Sequence, residues 1–144
     1  MKKMIKYPSI EQFRTVVTNI NRHYNYIGLD ENGDAIYDHS LPKPVLTFKG
    51  TVKLHGTNAA VSYNKDGGFW AQSRENIITV EKDNAGFAFF VESNKEIFEQ
   101  MANDIAHVYG LNLDNNTVTI YGEWCGGNIQ KGVGICNLPK SFFI

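Results

Sequence analysis

After Pro8-Ser9, apolar residues recur at helical spacing, at Ile10, Phe13, Val17 and Ile20. This predicts a helix over residues 9–20, with Ser9 and Gln12 as a capping box. Tyr26-Ile27 and Ala35-Ile36-Tyr37 flank the polar run Asp30-Glu31-Asn32-Gly33-Asp34, a hairpin signal built on Asn-Gly. A calcium loop is disfavoured there, because the glycine is misplaced and Leu41 stands where a closing glutamate belongs. Residues 45–53 and 58–64 are rich in β-branched and aromatic types and predict two strands. Asn64-Lys65-Asp66-Gly67-Gly68 then turns the chain into a third, Phe69-Trp70-Ala71-Gln72-Ser73. Between 84 and 109, Phe87, Phe90, Val91, Phe98, Met101, Ile105 and Val108 follow helical spacing, with a possible second start at Ser93 and Glu96. One or two helices are expected. Thr117–Tyr121 reads as another strand and Gly126-Gly127 as a loop. The pattern predicts an α+β fold of antiparallel β-sheets flanked by helices.

With 144 residues the chain suffices for one domain, and 42% apolar residues with nine Phe and seven Tyr provide for a packed core. Fourteen basic against fifteen acidic residues give a net charge of -1, so any contact with nucleic acid must come from a local patch. The basic start Met1–Lys6 is followed by no apolar run of signal-peptide type, and no segment approaches membrane-spanning length. A cytoplasmic protein without membrane partners is the expectation. Cys125 and Cys136 fit neither a disulfide framework nor a zinc site and are expected to be reduced and structural. His23, His39 and His107 have no partners at ligand or triad spacing, and no P-loop occurs.

Chemistry concentrates in Lys53-Leu54-His55-Gly56-Thr57-Asn58, which the strand pattern places where one strand ends and another begins. A lysine there can act as a nucleophile, and an amine attacks phosphorus only when unprotonated. Gly56 would let the backbone bend beside a phosphate, and Thr57 and Asn58 would supply donors. Taken alone, the same residues also describe a polar turn with a solvated lysine.

This segment resembles motif I of the covalent nucleotidyltransferases, the superfamily of RNA ligases, DNA ligases and mRNA capping enzymes. The superfamily pattern is Lys-x-Asp-Gly. His55 in place of Asp makes the chain similar to RNA ligases of the phage T4 RNA ligase 2 and trypanosome editing-ligase type. Ala71-Gln72-Ser73-Arg74 resembles the family's arginine motif, in which bidentate donors meet the nucleotide or incoming phosphate. Tyr121-Gly122-Glu123-Trp124 resembles motif III, whose glutamate accepts hydrogen bonds from ribose hydroxyls at a strand end. Gly126-Gly127-Asn128-Ile129-Gln130-Lys131-Gly132-Val133 matches the stretch typical of this ligase branch, and the likeness reaches back to Lys6–Phe13. Order and spacing carry the resemblance, since each motif alone is short.

The resemblance implies an ATP-dependent RNA ligase. Lys53 would take AMP from ATP. The AMP would move to an RNA 5′-phosphate, and an RNA 3′-hydroxyl would displace it. His55, Gly56 and Asn58 would lie beside the α-phosphate, with Arg74 and Glu123 holding phosphate and ribose. Magnesium or manganese would be needed, through ligands that the motifs present do not identify. The family pattern continues past Ser141-Phe142-Phe143-Ile144 to a purine-stacking aromatic, a metal-holding glutamate and late lysines. Residues 1–144 are therefore expected to be the amino-terminal part of an adenylation domain, weak or inactive without a carboxy-terminal segment. The alternative is a non-catalytic module that binds nucleotide or RNA ends on the same scaffold.

Overall fold

The computed structural model describes residues 1–83 and 85–144, and the chain divides into two compact units. One unit is Pro8–Val52. In it, helix α1 (Phe13–His23) begins three residues after the end of the Pro8-Ser9-Ile10 signal, because Gln12 rather than Ser9 occupies the N-cap. No side chain caps the helix, so the expected capping box is not made. The hairpin forms as expected from β1 (Tyr26–Leu29) and β2 (Ala35–Tyr37), paired antiparallel with Tyr26 opposite Tyr37. Asp30 closes its turn by accepting the N–H groups of Asn32 and Asp34, each at 2.8 Å, and Gly33 takes the positive φ of +88° that the turn requires. Residues 45–53 form no strand. Val45 and Val52 stand 95% and 88% exposed, and β-branched composition without a neighbouring ladder does not make a strand.

The other unit is Met1–Tyr7 together with Lys53–Ile144. Its five-stranded antiparallel sheet runs β5-β4-β3-β6-β7, with β3 Thr57–Asn64, β4 Gly68–Ser73, β5 Ile77–Ile78, β6 Val118–Cys125 and β7 Ser141–Phe143. Two helices follow β5 in sequence: α2 (Phe87–Ser93) and α3 (Lys95–Tyr109). Ser93 ends α2 and Asn94 caps α3 with no side-chain bond of its own. The amide of Asn94 instead donates to the Phe90 carbonyl at 2.7 Å. The predicted α+β class is therefore the observed one.

Strand alternation divides the sheet into two unlike faces. On one, Ala59, Val61, Ile120 and Trp124 pack against Phe87, Val91, Phe98 and Ala102 from the two helices. Phe87 and Phe90 lie 5.5 and 4.9 Å from Trp124 between ring centres, which makes this the aromatic heart of the core. The opposite face carries Ser62, Gln72, Thr119, Tyr121 and Glu123, and its polar groups are satisfied in pairs. Ser62 and Thr119 hydroxyls meet at 2.9 Å. Gln72, wholly buried, donates to the Ile5 carbonyl at 2.9 Å and accepts the Ile5 N–H at 3.0 Å. Trp70 and Tyr121 donate to the Lys3 and Ile5 carbonyls, so the first residues form a strap over this face. With both faces covered, β3 is buried continuously from Ala59 to Ser62.

Candidate functional site

Lys53, His55 and Thr57 lie on the approach to β3 and its first residue, and Lys53 and His55 are exposed. The expected strand before Lys53 is absent, so the lysine is carried by chain outside any strand or helix. What fixes this approach is Gly56. Its N–H donates to Glu123 Oε1 at 2.8 Å, and its carbonyl accepts from Gln130 Nε2 at 3.2 Å. Both polar atoms of one peptide residue are thus held by the two later motifs. A Cβ at Gly56 would come within 2.2 Å of the Trp124 carbonyl oxygen and 2.5 Å of Cys125 Cβ. The glycine is demanded by close approach to β6, whatever it offers a phosphate.

Glu123 lies within β6, which continues to Cys125, and not at a strand end as expected. A position inside the strand sets its neighbours by register. Asn58 is its direct partner on β3 and Phe143 its partner on β7. Paired residues share a face, so Asn58, Glu123 and Phe143 form a row across three strands, on the face away from the helices. Arg74 is the first residue past the Ala59–Ser73 rung that ends the β3–β4 ladder, in the turn that Ser73 and Asn76 close. The structure therefore gathers Asn58, Glu123 and Arg74 at one end of the sheet, where the segment bearing Lys53 and His55 enters. Sequence reasoning had no means of adding Phe143 to that row, because only the β6–β7 register puts it there.

Arg74 is largely exposed, with Nε 3.8 Å from Glu75 Oε1, while Glu75 also pairs with Lys6. The Lys6 ammonium, by hydrogen bond and then by charge, and Arg74 after it hold the Glu75 carboxyl below its usual range. Tyr121, on the face of Glu123, has its hydroxyl pushed up by burial. Cys125 beside it is fully buried, and burial first, then the Glu123 charge, push its thiol up. Cys125 and Cys136 are both free thiols. Among the described residues no group of three His, Cys, Asp or Glu side chains is placed to hold a metal ion, and no helix is long and apolar enough to cross a membrane.

Two clefts meet at Thr57 and Ala85. One, of about 140 Å³, runs between β3, the end of β4 and Lys82; the other, of about 360 Å³, lies against Asn128, Gln130 and Lys140. A larger groove of about 540 Å³ follows β5 and α2 past Trp70 and Phe89 and includes none of Lys53, His55, Gly56, Asn58, Arg74 and Glu123. Size is a poor guide here, and the smaller clefts adjoin the chemistry.

The family model described as RNA ligase matches residues 47–144. No curated protein and no solved structure matches the chain. The matched span takes in Lys53, Arg74, the Asn58–Glu123 pair and the Gln130 contact, and by it the chain belongs to the RNA ligase family.

Proposed function

We propose that the protein joins RNA ends in an ATP-dependent reaction through a lysyl-AMP intermediate at Lys53, in the manner of the phage T4 RNA ligase 2 and editing-ligase type. The observation that carries this reading is the double hold on Gly56, which ties the lysine segment to Glu123 and Gln130. Preorganising a nucleophile against the groups that hold its substrate is how phosphoryl-transfer sites gain most of their rate.

In the first step, the neutral Lys53 amine attacks the α-phosphorus of ATP. An N–P bond forms as the amine gives up one proton to solvent, the bond to the bridging oxygen breaks, and pyrophosphate leaves with that electron pair. In the second, an oxygen of an RNA 5′-phosphate attacks the same phosphorus and releases the lysine. In the third, an RNA 3′-hydroxyl attacks the 5′-phosphorus, loses its proton to solvent, and expels AMP. Asn58 and Arg74 would donate to phosphate oxygens, with His55 beside them. Glu123 has one oxygen committed to Gly56, which leaves the other to accept a ribose hydroxyl. A magnesium or manganese ion, when bound, neutralises the triphosphate; the residues present fit one that arrives on the phosphates, since Glu123 is the carboxylate of the row.

Intact mass measurement after incubation with ATP and magnesium or manganese tests the proposal. The expected result is an adduct of one AMP, lost in Lys53→Ala. ATP binding with no adduct would overturn it in favour of a module that binds nucleotide or RNA ends without turnover.

A further inference from the structure

Arg74 and Glu75 are the two central residues of the turn Ser73–Asn76, across whose base the Ser73 N–H donates to the Asn76 carbonyl at 2.8 Å. Adjacent residues of opposite charge in so short a turn are expected to pair with each other. Here the pairing is uneven. Glu75 Oε2 accepts the Lys6 ammonium at 2.5 Å, whereas Arg74 Nε stands 3.8 Å from Glu75 Oε1, beyond hydrogen-bond distance. Arg74 engages no other carboxylate among the described residues.

Lys6 is brought to this turn by contacts that do not involve Glu75. Its carbonyl accepts the Tyr121 hydroxyl at 3.2 Å, and Ile5 before it is tied through both backbone groups to the buried Gln72. The strap thus delivers an ammonium to the carboxylate beside Arg74. Two cations then face one carboxylate, and the cluster keeps a positive surplus. Without Lys6, Arg74 and Glu75 would cancel each other, and an arriving anion would have to displace Glu75 to reach the guanidinium.

We propose that Lys6 is a positioning residue of the candidate site: by occupying Glu75 it keeps the Arg74 guanidinium free to meet a phosphate. Lys6 acts through Glu75 and not on the phosphate itself. The inference rests on the ligase reading for the role of Arg74 and adds what governs its availability. The phosphate belongs to the nucleotide or to the RNA 5′ end, and two probes separate these sources.

The test is calorimetric titration of the full chain with magnesium α,β-methylene ATP, which cannot release pyrophosphate, and separately with a 5′-phosphorylated RNA oligonucleotide. Arg74→Ala identifies the probe that the arginine holds. For that probe, Lys6→Ala should weaken binding roughly two- to fivefold at about 0.1 M salt, the scale of an exposed ion pair, and the loss should fade at about 1 M. Lys6→Arg should bind like the wild type, and Glu75→Gln added to Lys6→Ala should recover the affinity. In an Arg74→Ala background Lys6→Ala should change nothing, with thermal melting unaltered throughout because all three side chains are exposed. An equal loss from Lys6→Ala with and without Arg74 would mean that Lys6 meets the phosphate directly and would overturn the proposal. So would a wild-type chain that binds neither probe, or an Arg74→Ala variant that binds both like the wild type. A missing AMP adduct in the wild type would remove the ligase reading alone, and the coupling between Lys6 and Arg74 would still uphold the inference.

Discussion

Glu123 Oε1 accepts the backbone N–H of Gly56 at 2.8 Å across 67 residues of sequence, which makes the carboxylate a structural partner of the lysine segment as well as a candidate ribose ligand. A charge-assisted bond of this kind contributes about 1.5–3 kcal/mol when well formed, and less where water reaches it. Glu123→Gln keeps an acceptor and removes the charge, whereas Glu123→Ala removes both. Adenylation is therefore expected to fall in both variants, with about 1 kcal/mol of stability lost only in the alanine variant. Single-turnover adenylation and urea unfolding read the two effects separately, and equal stability loss in both variants would contradict the assignment.

Lys53→Arg is expected to be as inactive in AMP transfer as Lys53→Ala. The guanidinium keeps the charge but cannot supply a neutral amine at any working pH. Radiolabel from ATP on the arginine variant would place the nucleophile elsewhere.

At Gly56, an added methyl meets the Trp124 backbone oxygen at 2.2 Å, and neither strand can yield without breaking the ladder. Overpacking against backbone costs at the upper end of the usual range, so Gly56→Ala should lose about 2–3 kcal/mol. The midpoint of chemical denaturation measures it, and a wild-type midpoint would show that the close approach is not maintained in solution.

Gln72 has no exposed surface and joins the strap to the sheet through both Ile5 backbone groups, while also accepting from Trp70 Nε1 at 3.0 Å. Replacing it with alanine leaves the Ile5 N–H without its partner, while the Ile5 carbonyl keeps the Tyr121 hydroxyl, and opens a void, an expected cost of about 3 kcal/mol. Faster proteolysis of residues 1–7 should accompany the loss, detected by amino-terminal mass analysis.

Burial holds the Cys125 thiol in its protonated form to higher pH than usual, so the unfolded chain deprotonates first and this contribution to stability falls as pH rises through about 8.5. Alkylation of the native protein at about pH 8 should therefore modify Cys136 and spare Cys125 until denaturant is added. Counting adducts by mass spectrometry checks the order.

The sequence by itself carried the order of the motif residues, the hairpin around Asn32-Gly33, the helical stretch between 84 and 109, the strands on either side of Gly67 and the α+β class. These are legible because each depends on neighbours a few residues away, through periodicity and turn chemistry. Tertiary structure decided the rest. It left residues 45–53 without a ladder, bypassed the Ser9 and Ser93 caps, extended β6 past Glu123, and gave Gln130 a partner in the Gly56 carbonyl. It also explains why Gly56 must be glycine and why a glutamine can sit buried at position 72. Both answers lie in segments more than sixty residues away, brought there by β3–β6 register and by the strap, and no local pattern encodes that distance.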